Sequence, residues 1–355
     1  MGGLRVLKHI AHMIYTKPPL TVEEQIDTLE RRGLFFRDKT SAANYLQNIS
    51  YYRLRAFTYP FQDNSEDADH TFLKNDISFE DIIDLYVFDR RLRNLIFNEL
   101  EKIEVAVRTK LSLVYSLCTN NPVWFESYDM YRCNTSSYQQ LMEELKTDVK
   151  RSNEDFIKHY RQKYEFPAIP PSWMTLEVIS FGLLSKLYKA LKNNNEKREI
   201  ARSFGIGDED VFANWLHAFS NLRNYCAHHS RIWNRRYLVH IVIPYNTANP
   251  FITKKDAKQL KQNKLFPLLC AIKYIVDIIS PDNAFNSNLH QLISERHELL
   301  SLKEMGFPQN WEELPIWKGC KNSGQVCQKV THVKKKHSLT MAHNTPHPLS
   351  LWQYP

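Results

Sequence analysis

The sequence predicts an all-α fold, and three observations carry that expectation. Glycine is scarce, 9 in 355 residues, which disfavours phosphate-binding glycine loops and the tight turns of a β-sandwich. Apolar residues recur three and four apart over long stretches, the period of a helix rather than of a strand. Helix-start signals stand directly before several of those stretches. At most a small β element is expected beside the helices.

Each element has its own warrant. In TKPPLTVEEQ, Thr21 and Glu24 have capping-box spacing, so a helix starts there and runs to Gly33, a C-terminal stop. A second short helix covers 40–48. The segment ISYYRLRAFTYPFQ (49–62) mixes aromatics and arginines, and the polar loop DNSEDADH follows it. Ser78 caps a long helix over 79–117, whose Ile82, Leu85, Leu92, Leu95, Ile103, Val107, Leu111 and Val114 keep the helical period. Further helices are expected at 136–160, 175–192, 196–204 and 209–230, with Pro170–Pro171 marking a break before the second half. RRYLVHIVIP (235–244) is rich in β-branched residues, ends at proline and reads as the one strand. A helix at 254–279 and a shorter one near 287–300 complete the body.

The chain therefore divides into an extension (1–14), a single helical body (15–317) with a possible subdivision near 165–172, and a tail (318–355). The tail lacks helical periodicity, is rich in Lys, His and Pro, and reads as variable and disordered. Its Cys320, Cys327, His332 and His337 match no common zinc spacing, so neither metal nor cofactor is expected. Its KKK at 334–336 reads first as a solvated charge run. Six cysteines without a CxxC pair point to a reducing cytoplasm rather than a disulfide framework. The start, MGGLRVLKHIAHMIY, has no unbroken apolar region of the signal-peptide kind. LFPLLCAIKYIVDIIS (265–280) is interrupted by Lys273 and Asp277, so it reads as an amphipathic core helix and not a membrane span. The net charge of +8 and pI near 9.0 suit a polyanionic partner, although charge alone separates few functions.

The most informative stretch is LRNYCAHHSRIWNR at 222–235. Upstream of it, Phe212, Trp215, Phe219, Leu222 and Cys226 form one apolar stripe. Asn224 and His228, four apart, share a face roughly opposite, where Asn224 can bond a ring nitrogen of His228. Arg223 and His228 are five apart, about 140° around an ideal helix, and do not stack. Either the arginine reaches round, or the helix opens near His228, or a second copy supplies the partner. Arginine and histidine without a carboxylate set suit RNA strand cleavage. Imidazole takes a proton from the 2′-hydroxyl or gives one to the leaving 5′-oxygen, while guanidinium grips the phosphate. The plainer alternative is a pair of histidines favoured at a helix end by its dipole.

At this point the sequence resembles a known family. RNYCAH (223–228) has the R-x4-H form, with Asn after Arg, of the HEPN ribonuclease superfamily. The surrounding blocks resemble the bacterial Abi family of abortive-infection proteins, of the AbiD and AbiF type. They are YTKPPLTVEEQIDTLERRGL, YLQNISYYRLRAFTYPFQ, YVFDRRLRNLIFNELEKIEVAVRTKL, IPPSWMTLEVISFGLLSKLY, LRNYCAHHSRIWNRR and MGFPQNWEELPIW, spanning residues 15–317 in order. The resemblance implies a HEPN-like helical bundle, a homodimer formed through the motif helix, phage defence, and RNA as substrate or as a bound small structured RNA. By position it makes Arg223 and His228 the catalytic pair and Asn224 the polar residue after Arg. His229, Arg231 and Asn234 become supporting residues.

Other basic positions have two readings each. Tyr51, Tyr52, Arg53 and Arg55 have the make-up of a single-stranded RNA platform and also of a packed helix junction. Arg90, Arg91 and Arg93 suit a phosphate backbone or plain solvation. Glu104 and Arg108 form an i,i+4 pair, a simple bridge first and a brace for the active-site arginine second; Arg108 is also counted among the RNA contacts. His217, at the edge of the stripe, reads as structural. Two functions follow: a metal-independent endoribonuclease, or an RNA-binding protein that does not cut.

Overall fold

The computed structural model describes residues 18–65, 68–74 and 76–318. The whole N-terminal extension (1–14) and, apart from Lys318, the expected tail with its zinc-like set lie outside them. In chain order the helices are α1 (Val22–Arg31), α2 (Lys39–Ile49), α3 (Tyr51–Thr58), α4 (Phe79–Thr119), α5 (Thr135–Arg151), α6 (Asp155–Lys163), α7 (Ser172–Val178), α8 (Phe181–Ala190), α9 (Asn195–Ser203), α10 (Glu209–Ala227), α11 (Lys254–Ala257), α12 (Leu265–Ile279) and α13 (Phe285–Ser294). Among the described residues β structure is limited to isolated bridges such as Phe35–Ser78 and Ile206–Thr247. The fold is all-α, as the sequence predicts.

The axis of the molecule is α4, 41 residues long. It packs on α3 before the Pro170–Pro171 step and on α7, α8, α9, α10, α12 and α13 after it, so both sides of that step share a core. The capping box at its start is present: the Ser78 hydroxyl accepts from Asp81 N–H and the Asp81 carboxylate accepts from Ser78 N–H. Replacing the buried Ser78 by alanine is expected to cost about 1–2 kcal/mol, read as a lower urea midpoint at unchanged slope. α12 is buried almost all round rather than amphipathic, because Lys273 folds back onto Asp277 within the same helix. Among the described residues no helix is long and apolar enough to cross a membrane.

Several sequence expectations need correction. The helix expected at 136–160 is two, because Ser152 and Asn153 interrupt it between α5 and α6; such side chains compete for backbone hydrogen bonds. The one expected at 175–192 breaks at extended Ile179, and Ser180 recaps the chain through Leu183 N–H to start α8. The one expected at 254–279 is a short α11 and then α12, with Pro267 tolerated in the first turn of α12. The helix near 287–300 is Phe285–Ser294.

The segment 235–244 is not a strand. It does alternate, with Tyr237, Ile241 and Ile243 buried and Leu238 and Val242 exposed. Among the described residues no strand lies beside it, and side chains of α10 instead take two of its carbonyls and one of its N–H groups. The Asn214 amide donates to His240 carbonyl and accepts from Val242 N–H, and the Trp215 indole donates to Val242 carbonyl. A strand pattern has been spent on docking an extended segment along a helix.

Candidate functional site

The buried stripe Phe212, Trp215, Phe219, Leu222 and Cys226 seats α10 against the core, as expected. The helix ends earlier than expected, at Ala227, with His228 as its C-cap. His229 N–H bonds Cys226 carbonyl and Ser230 N–H bonds Tyr225 carbonyl, the pair of bonds that defines a Schellman motif. The left-handed position of that motif usually holds glycine, yet here His229 takes it, with φ of 54°. A histidine tolerates that region better than most residues, at a modest cost. Of the three geometric options for Arg223 and His228, the helix does open at His228.

From there a loop runs to Arg236, and polar contacts hold it at nearly every step. Asp89 of α4, wholly buried, accepts from the N–H groups of Ile232 (3.1 Å) and Trp233 (2.6 Å) through one oxygen and pairs with buried Arg93 through the other. Burial pushes the Asp89 carboxyl up to about 6, against the pull of Arg93 and the two peptide donors. Arg93 also reaches Ser230 carbonyl at 3.5 Å. Arg53 of α3 donates to His229 carbonyl at 2.9 Å. Arg231 donates to Ala56 carbonyl of α3 and to Asn234 carbonyl, and burial lowers its pKa. Asn234, itself left-handed with φ of 47°, accepts from Lys264 at 3.2 Å. Trp233 stacks against Phe57 and Phe61, and Arg235 lies over the Tyr225 ring at 4.2 Å. The loop is thus built to fix the backbone around two exposed histidines.

Arg223 sits apart from this network. Its Nε lies 3.6 Å from the Glu104 carboxylate and its guanidinium 5.8 Å from the Phe97 ring centre. Glu104 is buried, and its other oxygen takes Arg108, which also donates to Leu176 carbonyl of α7. Glu104 is therefore both the bridge and the brace that the i,i+4 spacing suggested. It holds Arg223 by one nitrogen and leaves the two terminal nitrogens without a hydrogen-bond partner among the described residues. Arg223 lines an open cleft of about 710 Å³ between α4, α5, α6, α7 and α10.

The expected residues fall into groups. His228, His229, Arg231, Asn234 and Arg53 meet at the loop; Arg223, Glu104 and Arg108 meet at the cleft. No hydrogen bond or ion pair joins Arg223 to His228. Asn224 is exposed and gives His228 only a backbone bond (2.9 Å), so the expected side-chain bond to its ring is absent. Tyr52 is 85% exposed, as a stacking surface requires. Arg55 instead bonds His70 at 3.1 Å and lies over Tyr59. Arg90 is exposed, Arg91 is paired with Glu295 at 2.6 Å, and Arg93 and Arg108 are buried braces. Sequence reasoning missed Asp89, Lys264 and Trp233. Asp89 had a signal: a carboxylate at core register, four residues after Leu85 and seven before Ile96.

Fold and site together define an all-α protein with an R-x4-H pair at a braced helix terminus. The chain belongs to the Abi-like protein family, whose model matches residues 44–234, from α2 through the braced loop. The blocks before residue 44 and after 234 lie outside that match. No curated protein and no solved structure matches the chain.

Proposed function

We propose that this Abi-like protein defends bacteria against phage by acting on RNA in the cytoplasm, as a metal-independent endoribonuclease of the HEPN kind. The observation that carries the reading is the end of α10. An arginine is braced there with its terminal nitrogens free, and five residues later a histidine stands exposed on a rigid turn. In the proposed reaction the 2′-hydroxyl attacks the adjacent phosphorus and the 5′-oxygen leaves. His228 exchanges the proton, and Arg223 holds the phosphate oxygens as their charge grows. The products are a 2′,3′-cyclic phosphate and a 5′-hydroxyl, and the nucleophile comes from the substrate itself. Because Arg223 and His228 make no contact within one chain, a homodimer supplies the complete site. Arg53, which bonds the His229 carbonyl, marks the RNA approach to the histidines, and exposed Tyr52 and Arg90 are further RNA contacts in this reading.

The same lack of contact favours a second reading, in which Arg223 and His228 only grip a small structured RNA in a ribonucleoprotein. Total bacterial RNA incubated with wild type or His228→Ala in EDTA separates the two. The nuclease reading expects new ends from wild type alone, carrying cyclic phosphate. RNA that co-purifies and is never cut by either protein would favour the binding reading.

A further inference from the structure

We propose that the cleft beside Arg223 is a pocket for one guanine base of single-stranded RNA. The proposal rests on the reading above only in taking RNA as the ligand. The chemistry of the walls carries it. Within the cleft, Glu104 and Arg108 neutralise each other. Asp148 is engaged by the N–H of Ser180. What remains is one aromatic ring, Phe156 at the start of α6, 37% exposed, with Arg151, Arg223, Glu154 and Glu177. Arg151 ends α5, and Glu154 and Glu177 are exposed. None of these three side chains has an ion-pair or hydrogen-bond partner among the described residues.

A groove that merely follows a phosphate backbone has no use for two free carboxylates, which repel it. A base with two different edges does. Guanine offers adjacent acceptors, O6 and N7, that an arginine takes bidentately. On its Watson–Crick edge it offers adjacent donors, N1–H and the 2-amino group, that a carboxylate takes together. Adenine and cytosine set one donor beside an acceptor, and uracil has one donor between two acceptors, so a carboxylate meets a lone pair in each. Single-stranded bases are commonly read on both edges while stacked on an aromatic ring, the part assigned to Phe156. A base so held places its own phosphate near the free nitrogens of Arg223, which lines the same cleft.

The test uses full-length protein and fluorescein-labelled pentanucleotides with 2′-O-methyl sugars, which cannot be cleaved. UUGUU is compared with UUAUU by fluorescence anisotropy. UUGUU is expected to bind at least about tenfold more tightly, the discrimination of one good bidentate contact. The double substitution Glu154→Gln with Glu177→Gln should remove that preference, and because it takes away two charges that repel phosphate, UUAUU should bind at least as tightly as it does to wild type. Phe156→Ala should weaken UUGUU by about tenfold. Equal binding of the two oligonucleotides by wild type overturns the pocket whatever the variants do. A guanine preference that survives the double substitution in a protein of unchanged melting temperature overturns the carboxylates' part in it. A guanine preference in a protein that never cuts RNA keeps the pocket and removes the nuclease reading. Cutting without regard to guanine does the reverse.

Discussion

Asp89→Ala is expected to destabilise the fold by about 3–5 kcal/mol, a large share of the roughly 5–15 kcal/mol that holds a typical domain together. The side chain is wholly buried and answers three donors: Arg93, Ile232 N–H and Trp233 N–H. Removing it leaves a buried guanidinium without its counter-charge, the situation in which a broken ion pair costs most. It also leaves two buried peptide donors unmade, at about 1–3 kcal/mol each in isolation, though the terms overlap. Urea unfolding of wild type and variant measures the total. A loss below about 1 kcal/mol would mean that water reaches the site and the brace is dispensable.

The same carboxylate gives the stability a pH dependence of definite sign. Its folded pKa of about 6 lies above the ordinary value of 3.8, with burial the main cause. Between those values the folded chain binds a proton that the unfolded chain has released, so stability through this group falls as pH rises towards 6. Above 6 both states are ionised and the dependence ends. Asp89→Asn keeps the acceptor and the shape but does not titrate. The stability gap between wild type and Asp89→Asn should therefore shift in favour of wild type as pH is lowered from 7 to 4.5, and an unchanged gap would refute the assignment.

The sequence was legible wherever a residue type has one structural use. Thr21 with Glu24 and Ser78 before α4 announced helix starts, and the stripe on α10 announced its buried face. It was less legible where one pattern has two uses. The alternation in 235–244 is that of a strand, and only the tertiary fold shows that Asn214 and Trp215 of α10 replace the missing strand partner. Basic residues were hardest, since charge says nothing of burial. Arg53 and Arg231 fasten backbone carbonyls around the histidines, Arg93 and Arg108 are buried in ion pairs, and of the same list only Tyr52 and Arg90 stand free in solvent. The Arg223–His228 pair was found from its spacing, but its geometry was not, because the turn depends on a histidine adopting a conformation ordinarily left to glycine.

His228→Ala is expected to lower RNA cleavage by about 10²–10⁴-fold, the usual contribution of a positioned general acid or base. Its side chain is exposed, so stability should move by less than about 0.5 kcal/mol and the loss is one of chemistry. Arg223→Ala is expected to cost about 10²–10³-fold through lost charge stabilisation. Arg223→Lys should recover little, since a single ammonium cannot both meet Glu104 and present two nitrogens to phosphate. Mixing the two inactive proteins asks where the pair is assembled. If one protomer gives the arginine and its partner the histidine, a mixed dimer of His228→Ala and Arg223→Ala has one intact site and one doubly broken. Random exchange makes half the dimers mixed, so activity should return to about a quarter of wild type. The absence of any contact between Arg223 and His228 within one chain predicts that recovery. A mixture that stays inactive would place both groups of each working pair in the same chain, brought together only when RNA binds.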